Sequence, residues 1–201
     1  MRKGFTLVEL SIVLIIIGLI IGGVMKGKDL INSAEQKKIY NTWIKGWEIA
    51  VNSYQDKTGA MLGDGLNING GTAAAENGVP DDIDLSTTTA VQVRLRAVGL
   101  DVPVGNIVAT DGGSYNIKGK YATGTAIAYL YNLASATDGG SKPRLYITTV
   151  PTDVAIAFDR LTDGALNSAT GAFRQYPDNT SATGAWPDAK ITTTVNVSLE
   201  L

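Results

Sequence analysis

The chain has 201 residues, enough for one domain or one domain with an appendage, and its 17 basic and 19 acidic side chains leave a formal charge of −2. No basic surplus is available to follow a phosphate backbone, and the aromatic residues are not interleaved with Lys or Arg, so nucleic acid is not an expected partner. The sequence has neither Cys nor His, which excludes Cys–His and Ser–His–Asp catalysis, the usual zinc ligand sets, His-ligated haem and Fe–S clusters; a carboxylate-pair enzyme or an oxygen-ligated cation stays open.

The chain begins MRKGFTLVELSIVLIIIGLIIGGVM, and from Phe5 to Met25 its only charged side chain is Glu9. A run of this length is fit to cross a bilayer as a helix, since ~20 residues cover a core of about 30 Å. A secretory signal would have a shorter apolar region and a small-residue cleavage site after it, and none follows here. A plain membrane anchor fits the length but leaves the acid unexplained, since a charge at a helix centre costs roughly 2.5–3.5 kcal/mol on insertion scales. A third reading cuts the chain after Gly4. Phe5 then carries a free α-amine one helical turn from Glu9, so the carboxylate can pair with its own amine or with that of a neighbouring copy.

The stretch RKGFTLVEL followed by an unbroken apolar run resembles the N-terminus of type IV prepilins and of type II secretion pseudopilins. The likeness covers roughly residues 2–38, including KGKDLINSAEQKK. It implies cleavage between Gly4 and Phe5 by a membrane prepilin peptidase, methylation of the new Phe5 amine by the same enzyme, and an assembly role for Glu9. Many members carry a helix-kinking proline where this chain has Lys26; here Gly18, Gly22, Gly23 and Gly27 offer either local softness or the small-xxx-small spacing of closely packed helices.

Beyond Met25 the helix is expected to continue to about residue 57, on the order of 78 Å in all. Tyr40, Trp43, Ile44, Trp47, Ala50, Val51 and Tyr54 recur at the spacing of one buried face, and Gly59 is a stop signal. The expected division is a leader (1–4), an apolar membrane and filament-core helix (5–25), its amphipathic continuation (26–58) and a head (59–201).

Within the head, residues 60–113 read as a variable loop region holding one short Ser-capped helix in STTTAVQVRLRAVGL. Residues 114–201 read as an antiparallel sheet with strands near Ser114–Tyr121, Thr125–Leu133 and Arg144–Val150, a short helix over Pro151–Leu161, and a final strand in KITTTVNVSLEL. In that last strand Ile191, Thr193, Val195, Val197, Leu199 and Leu201 share one face. The fold class is therefore α+β, a long N-terminal helix packed on an antiparallel head, which is also what the pilin resemblance implies.

Two oxygen-rich stretches are candidate calcium sites. GDGLNINGG followed by Glu76 approximates a calcium loop, with Asp64, Asn67, Asn69 and Glu76 as ligands, although Gly65 stands where the template asks for Asp. Asp159, Asp163 and Asn167 surround an Asp-Gly turn; ordinary turn chemistry explains both stretches equally well. Asn179 and Asn196 head glycosylation sequons.

No catalytic constellation stands out, so the chain is expected to be a structural subunit and not an enzyme. The resemblance implies a homo-oligomeric filament with related pilin-like subunits, anchored in the bacterial inner membrane and served by the prepilin peptidase and assembly-platform membrane proteins. The chain would be single-pass with its head outside the cytoplasm, Arg2 and Lys3 holding the leader inside. It would end in a surface pilus or in the periplasmic pseudopilus of a type II secretion system. A membrane-anchored binding protein or enzyme is the alternative from another class.

Overall fold

From Leu7 to Thr58 the backbone is helical without a break, in three consecutive pieces: α1 (Leu7–Ile39), a π-helical turn (Tyr40–Ile44) and α2 (Lys45–Thr58). The computed structural model describes residues 4, 6–66, 76–87, 89–107, 112–134, 141–176 and 184–201. The chain divides into two compact units, residues 1–36 and 37–201.

In the first unit the large apolar side chains of α1, from Leu7 to Ile31, are all exposed. Ser11 and Ser33 turn their hydroxyls onto the carbonyls of Val8 and Asp29, so their polar groups are satisfied within the helix. Nothing lies within 4 Å of a Cβ built on Gly18, Gly22, Gly23 or Gly27, so this glycine-bearing side is open to close approach.

In the second unit the helix becomes a core element. Ile39, Tyr40, Trp43, Ile44, Trp47, Ala50, Val51 and Tyr54 are buried, the face that the spacing predicts. The π-helical turn was not legible in that spacing; there the Lys45 N–H reaches back five residues to the Tyr40 carbonyl. The helix stops at Gly59, whose φ of 74° is left-handed and whose N–H closes on the Gln55 carbonyl at 2.7 Å.

The sheet has six antiparallel strands: β1 (Ile83–Asp84), β2 (Ser114–Lys118), β3 (Thr123–Ala134), β4 (Ser141–Pro151), β5 (Phe173–Tyr176) and β6 (Thr194–Glu200). Their order is β1-β3-β4-β6-β5, and β2 also pairs with β3, over Thr123 to Ile127, where β1 does not reach. Helices α3 (Thr89–Ala97) and α4 (Thr152–Asp163) complete the unit. One face of the sheet is apolar: Ala126, Ala128 and Leu130, Leu145 and Ile147, Val195, Val197 and Leu199, and Phe173 join the tryptophans and Phe158 in a single buried cluster. The strict alternation follows from the two-residue period of a strand with one face on the core.

The opposite face carries Tyr129 and Tyr131, Arg144 and Tyr146, Ser198 and Glu200, Arg174 and Tyr176. The four tyrosines form a contiguous aromatic group with ring centroids 5.0–5.8 Å apart. Arg144 and Arg174 are buried on this face and lie 3.7 and 3.6 Å from Glu200, which Lys142 also pairs. Burial of two guanidiniums on an outward face was not expected from the sequence.

One expectation for the head needs correction. The last strand is Thr194–Glu200, shorter than expected, and Ile191 is 82% exposed. Asp188 accepts the N–H groups of Lys190, Ile191 and Thr192 and holds that stretch in a turn, which defeats the alternation there. Ser86 donates its N–H and its hydroxyl to the Asp84 carboxylate, and residue 88, just before α3, lies outside the described residues. Among the described residues of the 60–113 region, Leu62, Ile83, Leu85, Val91 and Leu95 are buried.

Candidate functional site: the leader junction and its glutamate

Glu9 lies in the first turn of α1, and its place there has a local cause. The Thr6 N–H and hydroxyl both donate to Glu9 Oε2 at 2.8 Å, while the Glu9 N–H donates to Thr6 Oγ1 at 3.2 Å. This is a reciprocal capping box: a Thr and a Glu three residues later each satisfy a backbone donor that a helix start leaves orphaned. The signal was present in the sequence as Thr6-x-x-Glu9, and Thr6 is the residue that the charge-pairing argument missed.

Gly4 is exposed and non-helical. Phe5, the expected acceptor of the methyl group, lies outside the described residues. From the capping box onward α1 is long and apolar enough to cross a membrane.

The first calcium candidate is only partly brought together. The Asp64 carboxylate accepts the N–H groups of Asn77 at 3.0 Å and Gly78 at 2.7 Å, and the Asp81 carboxylate accepts that of Gly65 at 2.7 Å. Arg94 donates to the Asp64 carbonyl at 2.6 Å. These bonds fasten Asp64 and Gly65 to Asn77, Gly78 and Asp81. Asn67 and Asn69 lie outside the described residues, and Glu76 is exposed.

The second candidate is a knot of hydrogen bonds around α4. Asp159 is fully buried, and its Oδ2 accepts the Trp186 indole N–H at 2.7 Å and the Asn167 N–H at 2.9 Å, while no partner meets its Oδ1. Asp163 accepts the N–H groups of Ala172 and Phe173, and Asn167 those of Ala169 and Thr170. Burial pushes the Asp159 carboxyl above the ordinary Asp value; the two N–H groups on it act the other way, and the nearby Asp163 adds to the rise. The three side chains thus fasten the chain after α4 to that helix, in a protein with no disulfide to do so. Among the described residues no group of three or more acidic side chains is placed to hold a metal.

Of the sequons, Asn179 lies outside the described residues. Asn196 Oδ1 accepts the Thr149 N–H at 3.0 Å, at the bulge in β4 where Thr149 adopts a φ of 54°.

No curated protein and no solved structure matches the chain. Residues 1–25 match the prokaryotic N-terminal methylation motif, the leader signature of type IV pilins and pseudopilins, and with its long apolar helix followed by an antiparallel sheet head the chain is pilin-like in both leader and architecture.

Proposed function

We propose that this protein is a structural subunit of a type IV pilin-like filament anchored in the bacterial inner membrane. The observation that carries the reading is the methylation motif on residues 1–25 running directly into an apolar helix whose large side chains from Leu7 to Ile31 are exposed. Before assembly the helix rests in lipid with the head outside the cytoplasm. Gly4 and Phe5 are the residues between which the prepilin peptidase cuts, and Phe5 receives the methyl group. Once the leader is gone, the helices leave the bilayer and bundle, replacing lipid contacts with contacts between copies. Glu9 exchanges its local bonds with Thr6 for the Phe5 amine of a neighbour and so sets the register of the bundle.

Mass spectrometry of the intact chain and its N-terminus, on material sheared gently from cells, tests this. A chain starting at methylated Phe5 and abundant in that fraction supports a surface pilus. The same processed chain confined to the membrane fraction supports the pseudopilus of a type II secretion system. A chain still starting at Met1 refutes both. Calcium at Asp64, Asn67, Asn69 and Glu76 is a separate proposal: titration calorimetry of the detergent-solubilised chain should show stoichiometric heat, and its absence removes the idea.

A further inference from the structure

Resting on the filament reading, we infer that a groove on the head receives the Gly27–Ala34 segment of α1 from a second copy of this chain. The groove runs between α2 and the Leu100–Pro103 segment and encloses about 270 Å³. Its floor is made of small residues one helical turn apart, Gly46, Ala50 and Ser53, with Ile49 at its edge, 62% exposed. A Cβ on Gly46 would already touch Pro103 at 3.5 Å, so the floor is as deep as the wall allows. A shallow apolar trough floored by small side chains suits the ridge of another helix.

The chain itself carries a ridge of matching chemistry. Gly27, Leu30, Ile31 and Ala34 fall within one stripe about 100° wide on α1. Leu30 and Ile31 are 74% and 61% exposed although they lie beyond the lipid-like run, in the otherwise polar stretch KGKDLINSAEQKK. Water is a poor neighbour for both. Lys26, Lys28 and Lys37 flank this stripe against one acid, Glu35, whereas the rim of the groove carries Asp101; the last turn of α2 carries Asp56 and Lys57, the lysine donating to the Val98 carbonyl at 3.0 Å. Among the described residues none of Lys26, Lys28 and Lys37 and neither of these aspartates has an ion-pair partner. An apolar ridge with basic flanks therefore faces an apolar groove with an acidic rim, which sets orientation as well as contact. Residues 27–34 of one copy beside residues 46–53 of the next is a shift of about 19 residues, or about 28 Å of helix between parallel copies.

The absence of cysteine makes the test clean. Full-length L30C/I49C, with each single variant as control, is expressed in its host, and sheared filaments are oxidised mildly and run without reductant. A ladder of cross-linked multimers from the double variant alone is the expected result. Wild-type amounts of filament with no such ladder overturn the inference and leave the filament reading intact. No filaments from the wild-type chain would defeat that reading and the inference with it. If the double variant alone fails to assemble, D101K should lower filament yield at least tenfold and K28D should restore it; a D101K defect unrelieved by K28D overturns the inference.

Discussion

One prediction concerns the carbonyl that ties the loop before β2 to the long helix. Trp43 and Trp47 are both buried, and their indole N–H groups converge on the Gly112 carbonyl at 2.8 and 3.2 Å. Trp43→Phe removes one donor but leaves the other, so beyond lost packing it should cost about 1 kcal/mol, the net worth of one hydrogen bond. Trp47→Phe should behave similarly, with a smaller hydrogen-bond part because its contact is longer. The double variant strips a buried carbonyl of both indole donors, and an unsatisfied group costs about 1–3 kcal/mol. The double should therefore be less stable than the sum of the singles, by an excess of about 1–2 kcal/mol. Urea unfolding of the detergent-solubilised chain, followed by far-UV circular dichroism because the indoles themselves are changed, measures all four corners of the cycle. In a protein this size the excess corresponds to about 2–8 °C in Tm. Additivity to within about 0.5 kcal/mol would refute the shared-acceptor reasoning.

Glu9→Ala should leave the leader cleavable but reduce sheared filaments to background, and normal filament yield would defeat the register role assigned to Glu9. Gly113→Ala should destabilise the head by more than about 2 kcal/mol in the same urea assay, because the new Cβ would stand 2.1 Å from the Leu85 carbonyl carbon and no flexible side chain can yield there. Asp159 holds its proton more tightly folded than unfolded, so its contribution is complete below the ordinary Asp value of 3.8 and is lost as pH rises through the raised folded value. Unfolding curves of Asp159→Asn and wild type across that window should then show the variant gaining on wild type as pH rises, and a constant or shrinking difference would exclude the assignment.

The parts of this molecule that were legible in the sequence are those governed by short-range rules. The apolar run, the spacing from Tyr40 to Tyr54, the Gly59 stop and the Asp163-Gly164 end of α4 each depend on a few neighbours, and each is found where those neighbours put it. The Thr6 cap was equally local and was overlooked because Glu9 was weighed as a charge in lipid and not as a hydrogen-bond acceptor at a helix start. The features that stayed hidden are long-range. Arg144 is buried on a face to which β6 and β5 bring Glu200 and Arg174, and no spacing within one strand announces that. Ile191 continued the alternation perfectly and is still outside the strand, because Asp188 competes for its backbone. Nor does spacing reveal that the Asp64 and Asp81 carboxylates accept the N–H groups of Asn77, Gly78 and Gly65.

The capping box also fixes a boundary for proteolysis. Peptidases bind substrate chains extended, with the backbone amides around the cut available to the enzyme, and a helix keeps its amides to itself. Because Thr6 and Glu9 satisfy each other's donors, the helix has a defined first turn and no inducement to grow upstream. Gly4 is exposed and lies in non-helical chain ahead of that turn. On the proposed reading, Thr6 and Glu9 do for the peptidase what a hinge does for a lid: they let the leader come away while the helix keeps its shape.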